Sequence, residues 1–157
     1  MDKPTKQPAK AAHENLLVID ATDLLVGRLA TRVARESMHG KTVRVINCEK
    51  AAMSGSKAFL VGEWTRRFHM GVPRKGPYIH RFPDRMVRRI IRGMLAHHNP
   101  RGREAYARIM CYIGVPTELK DAKTVTFKDM SVSKLPTTKY MTIGALCKEL
   151  GGKWHEQ

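Results

Sequence analysis

Twelve basic residues, eleven of them arginine, lie between Arg66 and Arg108, where only Asp84 and Glu104 oppose them. This stretch of 43 residues therefore carries +10 of the formal charge of +15. An arginine guanidinium donates hydrogen bonds in a planar fork that matches phosphate oxygens, and it also stacks on bases. So dense a block predicts binding to a polyanion. The sequence pI of about 10.2 indicates nucleic acid first and an anionic membrane second.

The densest part of the block predicts a helix over residues 84–97. At 100° per residue, its arginines all lie within about 60° of Arg85. They are Arg85, Arg88, Arg89 and Arg92, called the arginine face below. The opposite side is apolar and predicts a core-facing stripe, formed by Met86, Val87, Ile90, Ile91, Met94 and Leu95.

The arginine face is costly for an isolated helix. It contains four like-charge pairs at spacings i,i+3 or i,i+4, which together destabilise the helix by roughly 1–2 kcal/mol. Bound phosphates would reverse that sign. A solvated surface and a membrane-surface helix stay as alternatives. However, a solvated surface usually mixes charge signs, and a membrane-surface helix favours Trp, Phe or Leu with flanking lysines.

Two further segments extend the predicted surface. Residues 70–83, called the basic loop below, are broken by glycines and prolines and carry Arg74, Lys75, His80 and Arg81. Arg101-Gly-Arg103 begins the next predicted helix. There we expect the glycine to let the backbone approach RNA between two arginines, with an ordinary charged helix start as the alternative.

The sequence contains little that indicates a catalytic or metal site. A phosphate-binding loop ending at Gly55-Ser-Lys57 would need its first glycine at position 50, where this chain has Lys50. We therefore predict that this segment forms a turn and a helix cap. No carboxylate pair suits general acid–base chemistry, and no base accompanies Cys48. The histidines lack metal-ligand spacing, and the three cysteines form no Cys-x-x-Cys pair. We therefore expect no enzyme, metal, cofactor or small-molecule substrate.

The sequence also indicates the kind of cellular compartment in which the protein is found. An odd number of cysteines without a signal peptide indicates a reducing compartment. No apolar run approaches the roughly 20 residues that a membrane-spanning helix needs, so we expect no membrane partner.

One α/β domain must position this surface, because 157 residues suit a single domain. We expect a flexible tail over residues 1–15 and the domain over residues 16–157. Residues 16–20 and 42–47 predict strands, with a helix between them that Thr22 or Asp23 caps and Gly40 ends. Strand, helix and strand in this order predict a βαβ unit with parallel strands.

The rest of the chain predicts further short elements. Ser56 caps a predicted helix whose apolar side carries Phe59, Leu60, Trp64 and Phe68. We also expect a short helix over residues 102–108, a strand over 109–113, a short strand or an extended loop over 124–127, a linker over 131–138, and a last helix capped by Thr142.

Several short motifs occur in a fixed order along the chain. They are Ile19–Ala21, Val26–Thr31, Gly40-Lys41, Val45–Lys50, Gly76–Arg85, Arg89–Leu95, Pro100–Ala105 and Tyr112–Pro116. Together they resemble the universal L13 family of large-subunit ribosomal proteins, and the last four resemble its archaeal and eukaryotic branch. The resemblance runs from about Leu16 to Trp154.

The resemblance implies an α/β fold, a three-layer α/β/α sandwich around a small, mostly parallel four-stranded sheet. It implies a structural constituent of the large subunit in the cytoplasmic ribosome, without enzymatic activity. The implied partners are large-subunit ribosomal RNA and neighbouring ribosomal proteins. A free RNA-binding regulator using the same surface stays as the alternative. The predicted RNA-binding residues are Arg28, Arg66, Arg67, Arg74, Lys75, His80, Arg81, Arg85, Arg88, Arg89, Arg92, Arg101, Gly102 and Arg103.

Overall fold

The structure, a computed structural model, describes residues 15–72 and 74–154. Of the predicted N-terminal tail, only Asn15 belongs to the described residues. Across those residues the chain forms six β-strands and five α-helices. In chain order they are β1 (Leu16–Asp20), α1 (Val26–Met38), β2 (Thr42–Ile46), β3 (Ala52–Ser54), α2 (Lys57–Phe68), α3 (Pro83–Gly93), α4 (Pro100–Ala107), β4 (Ile109–Cys111), β5 (Thr124–Val125), β6 (Tyr140–Thr142) and α5 (Ile143–Glu149).

The main sheet has the strand order β4-β2-β1-β5. β1 and β2 pair in parallel with Val18 opposite Arg44, and β1–β5 and β2–β4 are parallel as well. The predicted α/β class, the βαβ unit and the small parallel sheet are therefore confirmed. Short apolar strands suit a parallel sheet, because such a sheet is covered on both faces.

The two faces of the sheet are covered differently. Ile19 points into the main core, to which all five α-helices contribute. Val18 and Ile46 point to the other face, where Leu119 packs on them from the 3-10 helix Thr117–Leu119. The outer layer on this face is thus the connection between β4 and β5. It contains a 3-10 helix where an α/β/α sandwich would have an α-helix.

A second, two-stranded sheet did not follow from the sequence. β3 and β6 pair antiparallel with Met53 opposite Met141. Each strand leads into a helix. Ser56 Oγ accepts a hydrogen bond from the amide of Phe59 at 3.4 Å, and Thr142 Oγ1 accepts one from the amide of Ala145. Both predicted caps are confirmed, and the small sheet fixes where α2 and α5 begin.

The predicted start of α1 was wrong. Its N-cap is Leu25, without a side-chain cap, and the Thr22 hydroxyl donates instead to Asp20 at 2.7 Å. The residues before α1 are held by backbone bridges from Leu24 to Ser131 and from Leu25 to Ala52. These tertiary contacts delay the helix, whereas its end agrees with the prediction, since Gly40 has φ of +90°.

α3 and α4 are fixed against α1. α3 buries Met86, Val87 and Ile91 in the main core and ends at Gly93, four residues before the predicted end. Ser37 Oγ on α1 donates to the carbonyl of Ala105 on α4 at 2.6 Å. Arg108 Nη2 donates back to the carbonyl of Ser37 at 3.0 Å, so this arginine of the basic block holds the fold together.

Candidate nucleic-acid interface

The arginine face lies on the outer side of α3. Arg85 and Arg92 are exposed, whereas Arg88 and Arg89 are half-buried. Pro83 begins the helix at its first turn, where a missing N–H costs no intrahelical hydrogen bond. Because Met86, Val87, Ile91 and Leu95 are held in the main core, the four guanidinium groups must project from the opposite side. Met94, also predicted in the apolar stripe, is 49% exposed, since it follows the end of α3 at Gly93.

Among the described residues, no carboxylate forms an ion pair with the arginine face. Asp84 is the one carboxylate within α3, where it lies in the first turn and favours the helix dipole. Burial and the Asp84 charge raise the pKa of the Cys147 thiol, on α5, to about 12. Asp84 forms no described ion pair with the arginine face.

Aromatic rings and a carbonyl orient these guanidinium groups. The Arg88 guanidinium lies 4.7 Å from the ring centroid of Tyr106, and that of Arg85 lies 5.6 Å from the ring centroid of Phe82. Arg89 Nη1 donates to the carbonyl of Tyr78 in the basic loop. Such contacts hold these three side chains in place without neutralising them, which reduces the entropy lost when a phosphate binds.

A cleft of about 400 Å³ opens at this face. Its lining is basic and consists of His80, Arg85, Arg88, Arg89, Arg92 and Tyr106. The buried Nε of Arg88 has no hydrogen-bond partner among the described residues. A buried donor without a partner is costly, and an anion in the cleft would supply one. The structure thus brings five of the predicted RNA-binding residues together.

The Arg-Gly-Arg segment differs from its sequence interpretation. Arg101 and Arg103 are exposed on the first turns of α4, but Gly102 is buried. A Cβ atom at Gly102 would lie 2.1 Å from the carbonyl oxygen of Ala96. The glycine is therefore needed where α4 packs against the turn after α3. Gly102 therefore makes its close approach to the protein's own backbone, whereas the sequence interpretation expected it to approach RNA.

Arg66 and Arg67, near the end of α2, are both bound to Glu63. Arg66 donates to both carboxylate oxygens, at 3.0 and 2.9 Å, and Arg67 Nε donates to one of them at 2.8 Å. These hydrogen bonds lower the pKa of Glu63 to about 2. Counting charge only from Arg66 onwards missed this carboxylate. The i,i+3 and i,i+4 spacing was the signal that could have revealed it.

The remaining predicted residues have separate places. Arg74 and Lys75 are exposed in the basic loop. Arg81 is half-buried, with its guanidinium 4.1 Å from the ring centroid of Phe68, and it packs near Gly151. Arg28 is exposed on α1, where its Nη1 lies 3.5 Å from the carbonyl of Asp129.

Arg28 also belongs to another part of the surface. Together with Arg67 it lines an apolar groove of about 540 Å³ between α1, α2 and β3, which lies outside the cleft of the arginine face.

The sequence model of the ribosomal protein L13 family matches residues 14–118, which include the arginine face, the basic loop and α4. The chain belongs to the ribosomal protein L13 family. A large ribosomal subunit protein uL13 from Methanosarcina barkeri is 41% identical over 140 residues, covering 88% of this chain and 100% of that protein.

Two further relatives of the same name support this assignment. The uL13 protein of Methanococcoides burtonii is 40% identical over 139 residues, with 88% of this chain and 100% of that protein covered. That of Methanopyrus kandleri is 40% identical over 140 residues, with 88% of each chain covered. The L13 family consists of structural ribosomal proteins and not of enzymes, as predicted.

Within residues 15–72 and 74–154, no group of three His, Cys, Asp or Glu side chains is placed to hold a metal ion. No helix in this part of the L13 chain is long and apolar enough to cross a membrane.

Proposed function

We propose that this protein is a structural constituent of the large ribosomal subunit and that its arginine face binds ribosomal RNA. Family membership supports the place in the cytoplasmic ribosome, and the cleft of four arginines, which have no carboxylate partner among the described residues, supports the contact. Ribosomal RNA and neighbouring ribosomal proteins are its partners. Nothing in the comparisons favours the free RNA-binding regulator.

The contact depends on phosphate more than on base sequence. Guanidinium groups spaced along one helix face can follow a phosphate backbone, and such contacts fix the position of a protein on folded RNA. Arg101 and Arg103 extend this surface from α4, and Arg74 and Lys75 extend it from the basic loop. We assign Arg28, Arg66 and Arg67 weaker roles, since the first lies in the groove and the other two share Glu63.

Two other predicted residues act mainly by supporting this surface, and a third lies in the cleft itself. Arg81 packs on Phe68, and Gly102 allows α4 to approach the turn after α3. His80 lines the cleft and can donate a hydrogen bond to an anion there. The α/β domain from residue 16 onwards thus serves as the scaffold for one RNA-binding surface.

Sucrose-gradient fractionation of a cell lysate tests this function. We expect the wild-type chain to sediment with large subunits. A variant with Arg85, Arg88, Arg89 and Arg92 replaced by Gln should shift towards the top of the gradient. Wild-type protein found only in light fractions would contradict the ribosomal assignment. A quadruple variant that sediments like the wild type would contradict the role of the arginine face.

A further inference from the structure

Tyr78 is the most exposed large apolar side chain in the described part of the basic loop. Tyr78 is 62% exposed, although its neighbours hold it in place. Its hydroxyl donates to the carbonyl of Arg74 within the loop, and its own carbonyl accepts from Arg89 on α3. The ring is therefore linked to the arginine face, and its orientation is fixed before any ligand arrives.

A glycine makes room for this ring. A Cβ atom at Gly76 would lie 3.1 and 3.2 Å from Cδ2 and Cε2 of Tyr78, closer than side-chain carbons normally pack. Gly76 also has φ of +80°, a conformation that other residues rarely adopt. The loop backbone thus supports the Tyr78 ring from one side and leaves much of it open.

The surroundings of the ring are apolar at the centre and basic at the rim. Beside it lies a pocket of about 370 Å³, lined by Phe68, Met70, Val72, Pro77 and Ile79 among others. Between residues 70 and 82 the sequence contains no carboxylate. An aromatic platform with adjacent cations is the arrangement by which proteins hold unpaired bases, since every base has a π face.

We propose that Tyr78 stacks on the base of an unpaired nucleotide, such as a bulge or a loop nucleotide, while Arg74 and Lys75 bind the adjoining phosphates. This proposal rests on the proposed function, because it names the RNA feature that the same surface recognises. The arginine face then follows the backbone of the neighbouring RNA helix. A protein partner for this apolar pocket would have to be acidic, whereas RNA supplies both the flat apolar base and the negative charge.

Two RNA hairpins of equal length test the stacking, one with a single bulged 2-aminopurine and one fully paired with 2-aminopurine in the stem. Binding of the wild-type chain should quench the fluorescence of the bulged probe, because stacking on an aromatic ring changes its environment. Tyr78→Leu keeps an apolar side chain but removes the ring. It should weaken binding of the bulged hairpin about tenfold and leave the paired hairpin within about twofold.

Tyr78→Phe is the matched control. It keeps the ring and loses only the hydroxyl bond to Arg74, so it should quench and bind like the wild type. Thermal melting of the three proteins shows whether the folds are equal, as expected for an exposed side chain. Absence of quenching with the wild type, or loss of quenching in Tyr78→Phe, would overturn the proposal, as would equal binding of both hairpins by Tyr78→Leu.

These results separate the proposal from the proposed function. Replacing the arginine face with Gln should weaken binding of both hairpins to a similar degree, because both have a phosphate backbone. If both wild-type affinities are high but the bulged probe is not quenched, the stacking is refuted and the phosphate contact stands. If neither hairpin binds, the RNA-binding surface itself is refuted.

Discussion

α2 and α3 both carry closely spaced arginines, but the side chains on the two helices have different partners. On α2, Arg66 and Arg67 share the carboxylate of Glu63. On α3, Arg88 packs against Tyr106 and Arg89 donates to a loop carbonyl, without a described carboxylate partner. The formal charge of the two segments looks similar in the sequence, whereas the charge available to RNA differs.

The difference shows that charge density alone does not locate a binding surface. An arginine bound by a carboxylate must give up that partner before it binds a phosphate. Breaking the ion pair then offsets much of the free energy gained from the phosphate contact. An arginine oriented by a ring or a carbonyl keeps its charge and has donors left to offer. The α3 surface should therefore bind RNA more strongly than the α2 surface.

Replacing the whole arginine face with Gln should have the largest effect. Four lost phosphate contacts predict a fall in RNA affinity of about 10²–10³-fold near physiological salt. The matched control, Arg66→Gln with Arg67→Gln, should lose about tenfold or less, since it removes arginines that Glu63 already binds. Equilibrium binding to large-subunit ribosomal RNA measures both.

Thermal unfolding provides the control for this comparison. The quadruple variant should be as stable as the wild type or more so, because it removes four like-charge pairs that cost roughly 1–2 kcal/mol. A large loss of stability would show that the arginine face is structural, and equal affinity losses for α2 and α3 would remove the distinction between them.

The next largest effect is expected from alanine substitution at two glycines, Gly102 and Gly62, which should change the free energy of unfolding in opposite directions. Gly102→Ala places a Cβ against the Ala96 carbonyl and should lower the free energy of unfolding by about 1–3 kcal/mol. Gly62→Ala, in the middle of α2, meets no atom within 4 Å and should raise it by about 0.5–1 kcal/mol. Urea denaturation measures both. If Gly102→Ala kept full stability but lost RNA binding, its role would be in ligand approach.

Glu63→Gln should release the two arginines of α2. We expect RNA affinity to rise by about two- to fivefold, because the carboxylate charge that offsets Arg66 and Arg67 is removed. The same substitution in the Arg66→Gln, Arg67→Gln background should give a smaller rise. Filter binding at fixed salt compares the two. Unchanged affinity in both backgrounds would mean that α2 lies away from the RNA.

The titration of Glu63 is the smallest effect. Its pKa of about 2 lies below the ordinary value of 4.5, so its contribution to stability is present above about pH 4.5 and is lost as the pH falls towards 2. Carboxyl NMR shifts should show a midpoint near 2 in the wild type. In Arg66→Gln, Arg67→Gln the midpoint should rise towards 4.5, and a midpoint of 4.5 in the wild type would exclude the pairing.

Local patterns predicted the centre of the fold well. β1, α1 and β2 followed from apolar runs and helical spacing, and the arginine face of α3 followed from 100° geometry. The paired strands β3 and β6 could not be predicted in this way. Each has three residues, and its partner lies more than eighty residues away in the chain.

Other features depended on packing that no local pattern shows. Phe59 was expected on the apolar side of α2, yet it is 67% exposed, because this helix meets the core through Leu60, Trp64 and the partly buried Val61. The role of Gly102 depends on the turn after α3, and the cleft depends on Tyr106 from α4. The spacing of Glu63 with Arg66 and Arg67, by contrast, was visible in the sequence.

The salt dependence of RNA binding tests the central claim most directly. If about 6–10 phosphates are neutralised, log affinity should fall against log salt with a slope near −5 to −9, and replacing the arginine face with Gln should reduce its magnitude by about 3–4. A wild-type slope near zero, or an unchanged slope in the quadruple variant, would contradict an arginine face that binds RNA phosphates.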